Sequence, residues 1–471
     1  MASARDLAEA NAFARRRLVA AFVSGASAGC ETESARSGRT VVGGLAMAAL
    51  LLAGAAAASR LTPRDADEWA RPGLVVSDQT GASYLILEPA AHPTLHPVFD
   101  ITSARLAAGD LEPRIVAQAT IDDQDIGHAV GIPGAPATLP TPARLVQTGW
   151  TACSGDGRGP RIRIASSPGV RRTPGKGLVV ESEGVRYVVA RASSAGTAAP
   201  RAYAYRLPRR PRAPEGDEQD TMLDELGLPI REEAAVVPAA WLALFPAGGD
   251  LDWASFGLTG FGRHVRAAGS LGIPAGARVG DVLRTGEGSF LLTATGPAEL
   301  SDFALAVYRH VPTPRGRLTT GPLREGGAPL EFRVDAAPSV GRVRMPYLAA
   351  HWPASRLGRV LGQPCAELTA RAGSAPTVQI ATDPAGDAGV APGRGAYVRA
   401  GDWAGRGRGP DVVVDAAGVA YPLVGAEAAD RLGYSATAAP VVPRPWLALL
   451  DRGVPLSVDA ARAGISPGGG S

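Results

Sequence analysis

One ten-residue phrase recurs in this chain with seven of its ten residues unchanged. Val236-Val237-Pro238-Ala239-Ala240-Trp241-Leu242-Ala243-Leu244-Phe245 returns as Val441-Val442-Pro443-Arg444-Pro445-Trp446-Leu447-Ala448-Leu449-Leu450, displaced by 205 positions. Leu223-Asp224-Glu225-Leu226-Gly227-Leu228 matches Ala429-Asp430-Arg431-Leu432-Gly433-Tyr434 at a displacement of 206. Cys153 and Cys365 stand 212 apart, and a strand-like phrase beginning near Gly73 reappears about 208 positions later. Several landmarks at nearly one offset, one of them containing the rare tryptophan, predict an internal duplication.

A shorter period lies inside the longer one. Gly73-Leu74-Val75-Val76 precedes Gly81-Ala82-Ser83-Tyr84-Leu85-Ile86, and Gly177-Leu178-Val179-Val180 precedes Gly184-Val185-Arg186-Tyr187-Val188-Val189. Asp281–Arg284 with Gly288–Leu292, and Asp411–Val414 with Gly418–Leu423, complete a set of four. Each pair reads as a hairpin closed by a glycine turn. A short helix is expected after it, such as Thr102–Ala107 or Leu300–Tyr308. One hairpin and one helix cannot bury their own apolar face, so four such lobes must pack around central segments that carry the cysteines. The high counts of glycine and proline, 59 and 40, suit turns and short strands.

Upstream of the repeats, Thr40 to Ser59 holds 20 uncharged residues between Arg39 and Arg60. About 20 apolar residues in a helix cross the roughly 30 Å hydrocarbon core of a bilayer. Arg5, Arg15, Arg16, Arg17, Arg36 and Arg39 precede the run, while Asp65, Asp67 and Glu68 follow it. The positive-inside rule therefore puts the N-terminus in the cytoplasm and the large C-terminal part outside. A cleaved signal peptide and a buried core helix are the alternatives, but some forty residues before the run are too many for an ordinary signal. Leu7, Ala10, Ala14, Leu18 and Phe22 recur at helical spacing, so residues 1–39 are expected to hold an amphipathic helix. Its Arg15, Arg16 and Arg17 suit anionic membrane lipids or an acidic groove on a partner.

The three cysteines divide at this span. Cys30 lies before it, whereas Cys153 and Cys365 lie beyond it in the expected oxidising space, where a pair should close as a disulfide. The expected segments are 1–39, cytoplasmic helix and linker; 40–59, transmembrane helix; 60–110, linker and first repeat; and 111–160, first central segment. Then come 161–250 and 251–320, second and third repeats; 321–393, second central segment; 394–458, fourth repeat; and 459–471, a flexible tail. The fold class is α+β, with an elongated extracytoplasmic body related to itself by a pseudo-twofold axis.

Catalytic chemistry finds little to stand on. The only lysine, Lys176, sits in Pro174-Gly175-Lys176-Gly177, which lacks the Ser or Thr and the spacing of a phosphate-binding loop. His92 and His96 adjoin Pro93 and Pro97 and so do not share a helical face for zinc. Gly405-Arg406-Gly407-Arg408-Gly409 reads as a surface turn before a strand. A net charge of +3, with no basic run interleaved with aromatics, gives nucleic-acid binding no support. No metal, cofactor or catalytic residue is assigned.

Several phrases together resemble the EccB family, the single-pass membrane component of the type VII (ESX) secretion machinery of mycobacteria and related actinobacteria. They are Arg5-Asp6-Leu7 through Phe13-Ala14-Arg15-Arg16-Arg17-Leu18-Val19-Ala20-Ala21, the apolar run, Leu95-His96-Pro97-Val98 and Ser103-Ala104-Arg105-Leu106. Gly131-Ile132-Pro133-Gly134-Ala135-Pro136, Leu139-Pro140, and Trp150 with Cys153 complete them. The resemblance implies a cytoplasmic docking helix, in which Leu7, Phe13, Arg15, Arg16, Arg17, Leu18 and Phe22 would contact other core subunits. It implies assembly with EccC, EccD and EccE, pairing of EccB bodies outside the membrane, and a single disulfide. ATP hydrolysis is ascribed to some of the family; a membrane-anchored hydrolase and a cell-wall-binding repeat protein are the alternative readings.

Overall fold

Runs of three to five β-branched or aromatic residues, broken by glycine, set the local structure: many short strands joined by tight turns. The computed structural model describes residues 68–109, 112–155, 159–193, 200–208, 218–265, 272–321, 323–324, 326–336, 338, 341–360 and 362–464. The expected N-terminal helix, the apolar run Thr40–Ser59 and Cys30 lie outside the described residues. Among those described, no helix is long and apolar enough to cross a membrane. The body is mixed α+β and rich in strands.

The first sheet contains β1 (Gly73–Ser77), β2 (Ser83–Ile86) and β3 (His96–Pro97), then helix α1 (Ile101–Ala108), then β4 (Arg114–Val116). Its order is β3-β2-β1-β4, antiparallel along the meander and parallel where β4 returns beside β1. Helix α2 (Gln118–Asp122) follows. Leu74 and Leu85 enter one core and Val75 and Ile86 another, so both faces of the sheet are covered. This two-sided burial explains why the strands read as continuous apolar runs and not as alternations.

Next come β5 (Trp150–Cys153), β6 (Arg161–Ile164) and β7 (Arg171–Arg172), one half of a central sheet. The second lobe holds β8 (Lys176–Ser182), β9 (Val185–Ala192), β10 (Arg201–Arg206), α3 (Glu218–Glu225), β11 (Ala235–Val236), α4 (Ala239–Leu242) and β12 (Ala247–Asp250). Its order is β11-β8-β9-β10-β12. Ser182 pairs with Val185 across a two-residue turn in which Glu183 and Gly184 both have positive φ, the form that matches the right-handed twist of the strands.

The third lobe repeats the order of the first with β13 (Val282–Arg284), β14 (Ser289–Leu292), β15 (Pro297–Leu300), α5 (Asp302–His310) and β16 (Glu331–Arg333). A short β17 (Gly358–Arg359) pairs with β8. Strands β18 (Cys365–Thr369), β19 (Thr377–Thr382) and β20 (Gly389–Val390) supply the other half of the central sheet, whose order is β20-β6-β5-β18-β19-β7. The fourth lobe contains β21 (Ala396–Gly401), β22 (Asp411–Val414), β23 (Val419–Pro422), α6 (Ala428–Arg431), β24 (Val441–Pro443), α7 (Arg444–Leu447), β25 (Asp451–Arg452) and α8 (Val458–Arg462). Its order, β24-β21-β22-β23-β25, is that of the second lobe.

Three cores join the parts. The largest places Trp150, Ile164 and Leu368 of the central sheet against Val180 and Val189 of the second lobe and Val398 and Val414 of the fourth. Another unites the second lobe with the third, through Tyr205, Leu223, Phe303 and Val307. A further one unites the first with the fourth, through Leu85, Leu106, Val413 and Tyr434.

Several expectations need correction in detail. The fourth hairpin phrase falls on β22 and β23, the second and third strands of its sheet, while the others fall on first and second strands. The true first strand, Ala396–Gly401, is followed by a nine-residue loop in place of a tight turn, which hid it. Strands β6 and β7 belong to the central sheet although the boundary drawn at 160/161 assigned them to the second repeat. Likewise β4 and β16 return to the first and third sheets from segments expected to be central, because each lobe closes with a parallel strand distant in sequence. Leu300 ends β15, and the helix starts two residues later under its Ser301 cap. Residues 459–462, expected in a flexible tail, form α8, which Ser457 caps and whose Ala461 is fully buried.

Candidate functional site

Cys153 and Cys365 stand directly opposite one another on the antiparallel pair β5 and β18 and are joined as a disulfide, with Cα atoms 3.9 Å apart. Neighbouring pairs in that register are Ala152–Ala366 and Thr151–Glu367. Because successive side chains alternate across a sheet, Ala152 and Ala366 face the main core while the disulfide and Glu367 face the other way. The bridge links positions 212 residues apart. In the chain-entropy model such a link removes about 5 kcal/mol of unfolded-state freedom.

The core side of this sheet is held by tryptophans, and the repeated phrases meet there. Trp241, on α4, donates its indole N–H to the Ala152 carbonyl at 3.0 Å. Trp446, on α7, donates to the Leu244 carbonyl at 3.2 Å, so the second copy of the phrase bonds the first. Both rings are fully buried. On the outer side Glu367 is also buried, and Arg172 grips it with two donors at 2.8 and 2.6 Å while Gln379 adds a third at 3.2 Å. A burial of this kind is tolerated only when a carboxylate is paired and hydrogen-bonded. Thr151, Cys153, Arg161, Arg163, Gln363 and Asp387 line a cleft of about 220 Å³ above the disulfide. Arg163 reaches the Ser167 carbonyl and packs beside Gly169 and Gly386, so it braces two loops at the cleft wall.

A second polar constellation joins the second and third lobes. His310, the last residue of α5, lies between two carboxylates of α3: Nε2 is 2.8 Å from Glu225 Oε2 and Nδ1 is 3.2 Å from Glu218 Oε2. Arg309 donates to Glu225 at 2.9 Å and to the nearly buried Glu331 at 3.1 Å, and Arg317 pairs with Glu218. The hydrogen bond from His310 holds the Glu225 carboxyl down at about 2. Glu225, then Glu218, raise His310 above its ordinary value against the opposing effect of burial. Sequence reasoning missed this cluster because it searched the histidines only for metal spacing. The available signal was Glu218 and Glu225, seven apart and therefore on one helical face.

The remaining candidates resolve locally. Lys176 starts β8, and Gly177 behind it packs against Leu228 and Leu357, with no room for a phosphate cradle. In the loop before β22, Asp402 Oδ1 accepts from the amides of Ala404 and Arg406, so those donors are turned inward. His96 sits 3.0 Å from the His128 carbonyl with the two rings edge to face. Among the described residues no group of three or more His, Cys, Asp or Glu could hold a metal ion. Leu7, Phe13, Arg15, Arg16, Arg17, Leu18 and Phe22 lie outside the described residues.

Comparison with known proteins gives a consistent result. The family model described as "Type VII secretion system ESX-1, transport TM domain B" matches residues 2–466. The Mycobacterium tuberculosis "ESX-1 secretion system ATPase EccB1" is 34% identical over 116 residues, which is 24% of this chain and 23% of that protein. The "ESX-2 secretion system ATPase EccB2" of the same species is 36% identical over 110 residues, 20% and 21% of the two chains. The aligned segments thus span less than a quarter of these relatives. In fold, a chain of an intact ESX-5 inner membrane complex matches with a TM-score of 0.55 at 19% identity, covering 99% of this chain and 96% of that one. The EccB3 dimer from the ESX-3 core complex matches with a TM-score of 0.57 at 18% identity, covering 83% and 100%.

Proposed function

The chain belongs to the EccB family of type VII secretion proteins, and from that premise we propose that it is the single-pass membrane subunit of an ESX export complex. The observation that carries this reading is the reach of the family match, from residue 2 to residue 466, which takes in the basic N-terminal segment, the apolar run and the strand-rich body together. In this reading residues 40–59 span the inner membrane with the N-terminus in the cytoplasm, supported by the arginines before the run and the acidic residues after it. Leu7, Phe13, Arg15, Arg16, Arg17, Leu18 and Phe22 dock on neighbouring subunits, for which EccC, EccD and EccE are the expected partners, and basic side chains among them meet anionic lipid.

The body acts as a rigid extracytoplasmic scaffold. Two halves, each with one lobe of each sheet order and one half of the central sheet, are read as an internal duplication related by a pseudo-twofold axis at the disulfide; the paired sheet orders support this. A scaffold clamped at its centre can pass force between lobes without deforming, because packed interiors yield little. Self-association of bodies is proposed from the fold likeness to a dimer.

ATPase activity, which the names of its relatives carry, has no residue assigned to it in this chain. The decisive experiment is copurification of the full chain in mild detergent with and without its first 25 residues. Recovery of EccC, EccD and EccE with the intact chain and their loss on truncation is expected; an unchanged complex would overturn the docking role. ATP hydrolysis by the purified full chain that follows it through two columns would instead favour the hydrolase reading.

A further inference from the structure

His310 touches two acidic groups of a neighbouring helix with both ends of its ring. An imidazole that is neutral carries one N–H and one lone pair. It can donate to Glu225 or to Glu218, but the other nitrogen then points a lone pair at a carboxylate. Only the imidazolium donates to both, so the contact geometry itself specifies the charged form. The surroundings fit that state. Facing His310 are Glu218 and Glu225 from α3, Arg309 from its own helix, Arg317 from the segment beyond it, and Asp252 across a shared cleft; Glu331 of β16 lies behind Arg309. The position at the C-terminus of α5 adds the negative end of the helix dipole, which also favours a cation.

We propose that His310 is a proton-controlled latch between the second and third lobes: protonated, it ties α5 to both ends of α3, and deprotonated, it lets go of one carboxylate and loosens the pair. The two arginines keep their charge throughout and hold the helices in register, so the transition is a softening of the joint and not its dissociation. Since the ring's folded affinity for protons is raised, its stabilising contribution is complete below about 6.5 and is lost as pH rises through the higher folded value. The extracytoplasmic body would therefore be stiffer at mildly acidic pH and more compliant at alkaline pH.

The test uses the full chain in detergent, followed by hydrogen exchange of peptides from α3, α5 and, as internal control, α1, at pH 6 and pH 9 after correction for intrinsic exchange. Protection of α3 and α5 is expected to fall several-fold relative to α1 in the wild type. It should stay level in His310→Arg, which keeps a cation, and be low at both pH values in His310→Gln. The proton affinity of His310, followed by the NMR shift of its labelled ring in the wild-type protein, should lie above the ordinary histidine range. A wild-type ratio that does not change with pH, a His310→Arg profile that falls in parallel with the wild type, or a ring that titrates in or below the ordinary range would each overturn the latch.

Discussion

Helices α1 and α5 hold the same place in two lobes of the same sheet order, yet they close on their neighbours with opposite chemistry. Each begins under an acceptor cap, Asp100 or Ser301, and each turns a buried apolar stripe to a partner lobe. At its C-terminal end α5 supplies the cations, Arg309 and His310, to carboxylates on α3 and β16. At the end of α1 the partner supplies them: Arg431 of α6 and Arg462 of α8 both donate to the Ala107 carbonyl, at 3.2 and 2.9 Å. Both arrangements answer the same need, positive charge at a helix C-terminus whose carbonyls lack intrahelical partners. They differ in what can change them. One joint is built on an imidazole between carboxylates, the other on guanidinium donors to a backbone carbonyl.

The largest effects should show that the apolar contacts, not the charges, carry each joint. Phe303 is fully buried against Tyr205 and Trp352, so Phe303→Ala should cost about 3–5 kcal/mol. Leu106→Ala, at the matching stripe of α1, should cost about 2–5 kcal/mol. Denaturant unfolding followed by hydrogen exchange locates the loss: each substitution should expose its own joint first. If Phe303→Ala loosened α1 as much as α5, the two joints would be one cooperative unit and the comparison would fail.

Opening the central clamp tests the same point from the middle. The double change Cys153→Ala with Cys365→Ala should lower stability by about 2–5 kcal/mol in the chain-entropy account. Because β5 and β18 lie between the lobe pairs, protection should fall alike at α1 and α5. A loss confined to one of them would show that the clamp serves a single joint.

What the sequence made legible follows from range. Hairpins with tight glycine turns, such as Leu178–Val189, announce themselves because both strands and the turn lie within a dozen residues. The Trp241 and Trp446 phrases were legible as a repeat, but nothing local says that Trp446 bonds the end of the other copy, at Leu244. Parallel closing strands were illegible for the same reason: β4 and β16 are three residues each and take meaning only from β1 and β13. The loop 402–410 defeated the pattern outright by separating β21 from β22, so the fourth phrase registered one strand late. The polar joint was half visible. Glu218 and Glu225 mark an acidic helix face, yet their partner His310 comes from another lobe, 85 residues beyond Glu225.

Acid should loosen the joint of α3 and α5 as well. Glu225 is held at about 2 when folded, well below its ordinary 4.5. A depressed carboxyl contributes stability that is present above the unfolded value and is lost as pH falls from about 4.5 toward 2. Protection of α3 and α5 should therefore drop across that window. Glu225→Gln should cost about 1–3 kcal/mol at neutral pH, the penalty for a charged hydrogen bond removed in a partly buried site. It should also flatten the acid response of the joint. A variant that keeps the full wild-type acid response would place the titrating group elsewhere.

The smallest effect belongs to the joint built on guanidinium donors. Arg462→Met removes one of two donors to the Ala107 carbonyl while Arg431 still satisfies that oxygen, so the loss should be only about 0.5–1.5 kcal/mol. It should also be the same at pH 5 and pH 9, since a guanidinium keeps its proton throughout. Replacing both arginines by methionine should cost more than the two single changes added together, because only then does the Ala107 carbonyl lose every side-chain donor. Thermal unfolding of the three variants at the two pH values measures this. A double variant equal to the sum of the singles would mean that each arginine acts through its own contacts, such as Arg431 with Glu427, and that the shared carbonyl is incidental.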